Sequence, residues 1–299
     1  MELTTGGNKG GDMEITSPND QLRLVRSLFP NFAETLDAAH TEHGLAEAIP
    51  DQSGAGFDAW LDDEARQLRE GALAGAPFAT LPAAESSRFE RAFAAARLVA
   101  QRSHLTLPEP EAFVEAGANL LALASKLAAD PALVPVIAPY GLGPERWREL
   151  FRAAAEQQGS PLSGGEPLLL AAEAVDGFAI LDSIPDVTSS RVEIALPEGG
   201  SVTWTLRLIP SSPKPPLLGL GFAHGPHVSL PEILMLQLMR IASGERPVDT
   251  ESFTWLAGSL ADGRLAARHV FDESEAVIRI SCREIGNQGP HLGARPPVS

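Results

Sequence analysis

The chain has 299 residues, 44% of them hydrophobic, and a formal net charge of -16 at pH 7. That length and apolar share suffice for a sizeable core spread over two domains or lobes. The acidic balance speaks against a dedicated duplex-DNA binder, which needs a basic footprint. A single cysteine, Cys282, excludes an intramolecular disulfide and a cysteine-based zinc cluster.

In chain order, residues 1–15 are rich in Gly and polar side chains and are expected to form a disordered tail. No basic segment followed by an apolar run opens the chain, and no stretch reaches the length of a membrane span, so cytoplasmic residence is expected. Three lysines against twenty arginines, with abundant alanine, suggest a GC-rich bacterial source.

Residues 16–160 read as an acidic helical domain of about six helices. Ser17-Pro18-Asn19-Asp20 starts the first, which Pro30 interrupts, and a second runs from Asn31 to His43. Phe57, Trp60, Leu61 and Leu68 define an amphipathic helix over about 56–73, with Asp62, Asp63 and Glu64 on its polar side. Phe89, Phe93, Ala96 and Val99 repeat the pattern after a cap at Ser86-Ser87. The run from Glu111 to Ala129 is apolar on most of its circumference and predicts a central helix. Trp147, Leu150, Phe151 and Ala154 form the stripe of a helix opened by Pro144 and ended near Gly159. Aromatic stripes of this kind belong to cores.

Periodicity is lost around Ser160-Pro161-Leu162-Ser163-Gly164-Gly165, which marks a boundary. Residues 161–288 then predict a smaller α+β lobe in which two β-hairpins form one antiparallel sheet packed against helices. The first hairpin turns at Pro197-Glu198-Gly199-Gly200. It pairs Leu196 with Val202, Ile194 with Trp204 and Val192 with Leu206, leaving Arg191, Glu193, Thr205 and Arg207 outside. Pro210, Pro213, Pro215 and Pro216 make a stiff connector. Leu230 to Ile241 reads as a buried helix, and Ser252 to Leu260 as another helical segment. Residues 289–299, rich in Gly and Pro, are expected to be a mobile tail.

The second hairpin carries the chain's sharpest feature. Residues 264–271 and 276–283 alternate in polarity around the turn Asp272-Glu273-Ser274-Glu275. Pairing Phe271 with Ala276 sets His269, Ala267 and Leu265 against Ile278, Ile280 and Cys282 on a core face. Arg268 then opposes Arg279, and Arg264 opposes Arg283, on the other face. Like charges placed directly opposite are destabilising, so an anion or partner is expected there. With Arg191 and Arg207 of the first hairpin, six arginines would make one positive sheet surface. Residues 1–200 hold 30 acidic against 14 basic side chains and residues 201–299 hold 9 against 9, so the acidic lobe could itself supply the counter-charge.

Metal chemistry has one candidate. His224 and His227, separated by Gly225-Pro226, could supply two ligands to a divalent metal, with Glu232 or His269 as a third. No other cofactor is expected. The chain lacks a phosphate-binding Gly-Lys-Ser loop, a dinucleotide fingerprint, a Gly-x-Ser-x-Gly elbow and a His-Glu-x-x-His helix. Cys282 falls on an inner strand face, where a thiol packs rather than reacts. The expected function is therefore a non-enzymatic protein–protein interaction or assembly protein whose partner is another protein or another copy. A metal-dependent hydrolase centred on His224 and His227 is the first alternative. A nucleic-acid-associated protein is the second, disfavoured because no aromatic residue falls on the predicted arginine face. No membrane partner is expected.

Overall fold

A computed structural model describes residues 77–186, 188, 190–197 and 199–299. The chain divides into two compact units, Met1–Ala74 and Gly75–Ser299, and the described residues belong to the second. The expected N-terminal tail, the helices over 17–29, 31–43 and 56–73 and the Asp62–Glu64 cluster lie outside the described residues. The expected boundary near residue 160 falls inside the second unit.

This unit mixes helices with largely antiparallel sheets, an α+β arrangement. Helix α1, Ala83–Arg102, buries Phe89, Phe93, Ala96 and Val99, the stripe its sequence shows. It starts directly after Pro82, with no side-chain cap bond, so Ser86 and Ser87 stand inside the helix. The single helix expected over 111–129 is two: α2, Pro110–Glu115, and α3, Leu120–Ala129. Gly117, at φ 99°, breaks the run, and the Asn119 side chain restarts it by accepting a bond from the Ala122 N–H. Helix α4, Gly143–Ala155, follows, burying Trp147, Leu150, Phe151 and Ala154.

Between α3 and α4 lies strand β1, Leu133–Tyr140, in a segment whose prolines at 135 and 139 hide its strand character. Both prolines fit because β1 is an edge strand, bonded on one side only to β4, Ser201–Pro210. On the other side of β4 runs β3, Arg191–Ala195, completing a three-stranded antiparallel sheet. Ile194 pairs with Val202 and Val192 with Trp204. This is a shift of two from the expected register, so the same residues still share each face, but Thr205 and Arg207, expected outside, are buried.

The second sheet has six strands. In spatial order they are β2 (Leu168–Leu170), β8 (Val277–Glu284), β7 (Leu265–Asp272), β6 (Phe253–Leu260), β9 (Leu292–Ala294) and β5 (Leu217–Leu218). The β2–β8 and β6–β9 pairs are parallel and the others antiparallel. The two hairpins therefore do not share a sheet. Both flanks of β4 are taken, one by β1 and the other by β3 and, beyond it, by Val298, which bridges Leu208. No free edge of β4 remains for the second hairpin.

Two short helices, α5 (Ala172–Asp176) and α6 (Phe178–Leu181), follow β2, and α7, Leu230–Ala242, packs against β1 and α1. Helix α7 is buried nearly all round, as its sequence predicts, and opens on a capping box between Ser229 and Glu232. The segment expected to be helical at 252–260 is instead strand β6. Its Phe, Thr and Trp favour a pleated surface, and its register shifts between Trp255 and Ser259, where Gly258 takes φ 97°.

The expected mobile tail is also structured. Leu292–Ala294 pairs with β6 and β5, Arg295 is completely buried, and Val298 exchanges two backbone bonds with Leu208. Composition misleads here because Arg295 has a buried carboxylate waiting for it, Asp249. Among the described residues no helix is long and apolar enough to cross a membrane.

Candidate anion-binding face

The turn of the second hairpin decides which arginines meet. Asp272 closes the ladder against Val277, and its Oδ1 accepts bonds from the N–H and hydroxyl of Ser274 and the N–H of Glu275. Ala276 takes φ 56° and belongs to the loop. The loop keeps its expected length but moves one residue along the chain, so the register moves by two. Face assignment survives this shift and the opposed pairs do not. Arg268 faces Ser281, Arg279 faces Val270, and Arg283 faces Ala266. No arginine stands directly against another, which removes the like-charge cost of the expected pairing.

The six arginines separate into distinct environments. Arg207 is buried rather than outward, with its Nη1 2.9 Å from Glu232 Oε1 and its Nε donating to Ser299 Oγ. It faces inward because α7 covers that side of the sheet and brings Glu232 with it. Arg191 lies on β3, in the other sheet, and its guanidinium bonds the Pro185 carbonyl. Arg264 sits in the β6–β7 turn with its Nε 3.1 Å from the Ala261 carbonyl. Arg279 is neutralised by Glu275 at 2.7 Å and Asp272 at 3.4 Å.

Arg268 and Arg283 remain. They share a face, diagonal to each other across the ladder, with side-chain origins about 7 Å apart by strand geometry. Arg268 donates from Nε to Ser281 Oγ at 3.0 Å, and its guanidinium carbon lies 3.9 Å from the centre of the Phe253 ring. That stack fixes a long side chain that would otherwise be free. Burial, and after it the charge of Arg283, lower the Arg268 pKa from its ordinary value. Arg283 is exposed. Among the described residues neither makes an ion pair with a carboxylate, and the hydroxyl of Ser281 lies between them.

The expectation that no aromatic residue shares this face is corrected by β6. Phe253 lies under Arg268, and Trp255, directly opposite Arg268, is fully buried beneath Phe222. Both belong to the segment read as a helix, so the sequence could not place them.

The histidine pair is held differently from a metal site. His227 stacks on Phe222, with centroids 4.8 Å apart, and its Nε2 donates to the Phe222 carbonyl at 2.7 Å. Its Nδ1 is buried without a partner, and burial holds the imidazole below its ordinary pKa. His224 is exposed at the end of the short 3-10 turn Phe222–His224. Glu232 is committed to Arg207 and Ser229, and His269 to Asp249 and Gln237. Among the described residues no three His, Cys, Asp or Glu side chains converge to hold a metal ion.

Behind the arginine face is a polar core that sequence reasoning only touched through His269. Gln237 accepts from the Val248 N–H and donates to the Val248 carbonyl, which fixes its amide orientation. Its second N–H then points to His269 Nε2 at 3.1 Å, so His269 carries its proton on Nδ1 and donates to Asp249 Oδ2 at 2.9 Å. Arg295 reaches Asp249 from the other side at 2.6 Å. Burial opposes the charge on Asp249, but Arg295 and then His269 outweigh it and hold its pKa below the ordinary value. Every polar atom of this set that could act on a substrate already has a partner, and all four residues are buried completely.

No protein-family model matches the chain, and comparisons with curated proteins and with solved structures likewise return no match.

Proposed function

We propose that the protein is a non-enzymatic interaction protein that receives an anionic group of a protein partner, or of a second copy, on the Arg268–Ser281–Arg283 face. The observation that carries this reading is that, among the described residues, the guanidiniums of Arg268 and Arg283 have no carboxylate partner. The chain's net charge is -16, yet no described acidic side chain is placed on these two. Arg268 is pre-positioned by Phe253 and Ser281, so little side-chain entropy is lost when an anion arrives. Stacking on a nucleobase would require the Phe253 surface that Arg268 already covers, which favours a carboxylate-bearing partner over single-stranded nucleic acid.

The test uses the full chain and a Glu-rich peptide, titrated by fluorescence anisotropy at low and moderate salt. Binding should weaken at least tenfold in Arg283→Glu, which alters only an exposed side chain, and further in Arg268→Ala/Arg283→Ala. Arg279→Ala, whose charge is already matched, should bind like wild type. Equal affinities for wild type and Arg283→Glu would refute the reading. A matching series with a single-stranded oligonucleotide assigns the partner class.

A further inference from the structure

Beside edge strand β1, helices α1 and α7 leave a groove of about 530 Å3, away from the arginine face. Its floor is apolar, formed by Ala92, Ala95, Leu98, Val134, Leu236 and Met239. The alanines create the space, since larger side chains there would fill it. Leu98, at one end of this floor, remains 42% exposed. The rim carries Arg88, Arg91 and Arg240 against the single carboxylate of Glu245.

The rim charges are not equivalent. Arg240 is matched by Glu245 at 2.9 Å. Arg88 is held by the backbone carbonyls of Leu127, Pro131 and Leu133, which fixes its position without neutralising it. Arg91 is exposed and, among the described residues, makes no hydrogen bond or ion pair. The groove thus joins an apolar trough to an excess of positive charge at its mouth, in a strongly acidic chain.

We infer that the groove binds a small amphipathic anion, an unbranched medium-length acyl chain ending in a carboxylate. The volume lies within the range of small-molecule sites. From Arg88 to Leu98 the trough extends for about 15 Å along α1, at 1.5 Å per residue. A peptide helix, about 10 Å across, would ride above a groove of this volume and leave its floor unfilled. A flexible chain fills the floor and sets its head beside Arg91 and Arg88. Apart from the charged rim, the one polar side chain in the lining is Ser243, too few partners for the many hydroxyls and amides of a sugar or nucleotide.

The probe is decanoate, below its aggregation concentration, added to the full chain with isotopically labelled methionine methyl groups. Met239 lines the groove, so its methyl resonance should shift on titration. Shortening the probe to octanoate should weaken binding about tenfold, because two methylenes leave the floor, at about 0.8 kcal/mol each. Arg91→Glu, altering an exposed side chain with no hydrogen bond or ion pair among the described residues, should weaken decanoate binding at least tenfold while leaving the chain-length ratio unchanged. Ala95→Leu, if the far-ultraviolet spectrum shows it folded, should abolish binding by filling the trough. No Met239 shift at millimolar decanoate would overturn the inference. So would equal affinities for octanoate and decanoate, since only the charged rim would then be engaged. Neither result bears on the arginine face, whose test uses different residues and a different ligand.

Discussion

Replacing Arg295 by Met should cost this unit a large part of its stability. The guanidinium is completely buried and makes five hydrogen bonds: two from Nε and one from Nη2 to the Asp249 carboxylate, one from Nη1 to the Pro210 carbonyl at 2.6 Å, and one from Nη2 to the Ser212 carbonyl at 2.8 Å. Met matches the length of the side chain and avoids a large void, so the cost is mainly polar. Removing one partner of a buried ion pair costs about 3–5 kcal/mol. Orphaning buried carbonyls adds about 1 kcal/mol or more each. A total of about 5 kcal/mol is comparable with the whole stability of many domains. Urea titration followed by circular dichroism should show a much lower midpoint with a similar slope. The pH dependence supplies a second readout. In the wild type the Asp249 pKa lies below its ordinary value, so its stabilising contribution is full above that value and is lost as pH falls through the folded value. Without Arg295, burial dominates and the Asp249 pKa rises. The variant should therefore recover part of its deficit on acidification towards pH 4.5, where the wild type gains nothing from this group. Adding Asp249→Asn to Arg295→Met should restore stability relative to Arg295→Met alone. A loss below about 1 kcal/mol at pH 7.5, or a double variant worse than the single one, would refute the reasoning.

Asp182 gives the opposite pH signature. Burial pushes its pKa up to about 6, against the backbone N–H groups of Gly141 and Gly143 that lower it, and its Oδ1 is unpartnered. A raised carboxyl pKa means that stability declines as pH rises from the ordinary value of 3.8 through about 6. Asp182→Asn keeps an acceptor for Gly141 and should be more stable than wild type by about 1–2 kcal/mol at pH 7.5, but not at pH 4, in paired thermal melts. Ser229→Ala removes the cap of α7 and the partner of the buried Tyr140 hydroxyl, and should cost about 2–3 kcal/mol in urea titration. Gly293→Ala should be poorly tolerated, because a Cβ would run into the Leu217 carbonyl and Pro215, and limited proteolysis should then cut near the β5–β9 pair. Arg279→Ala removes two surface pairs, one of them partly buried, and should change stability by less than about 1 kcal/mol.

Legibility in the sequence followed burial. Alternation in residues 191–208 and 265–283 marks both hairpins and which side chains share a face, but not that β4 is buried on both sides, which takes Thr205 and Arg207 inside. Register within each hairpin depended on the turn, and the turns depend on local conformations such as the positive φ of Ala276, Gly199 and Gly200, which alternation does not report. Strand β1 was hidden by prolines that only an edge position permits, and β6 by a bulge that disrupts its alternation. Arg295 illustrates a further gap. Its Gly- and Pro-rich surroundings describe a loose tail, while its partner Asp249 lies forty-six residues away in sequence. The same distance problem hid the Arg207–Glu232 pair, whose two members sit in segments that separately look like a solvent face and a helix cap.

The buried and exposed chemistry of β7 are linked by adjacency. His269 points inward to Asp249 and Gln237, and Arg268, one residue earlier, must point outward. A slip of one residue would place the Arg268 guanidinium in the Asp249 site that Arg295 fills and expel His269 to solvent, losing the Gln237 bond and the second donor to Asp249. The polar core thereby fixes which arginine reaches the outer face and at what height along the ladder. Arg295 extends this control between the sheets, since its carbonyl partners Pro210 and Ser212 lie at and just beyond the end of β4 while Asp249 precedes β6. Disturbing that clasp should loosen the register of β6 and β7, and with it the stacking of Arg268 on Phe253. An anion-binding defect in a folded Arg295 variant would then arise without any change to Arg268, Ser281 or Arg283. The two effects separate experimentally, because Arg283→Glu should weaken binding at least tenfold at full stability, whereas Arg295→Met should lower both together.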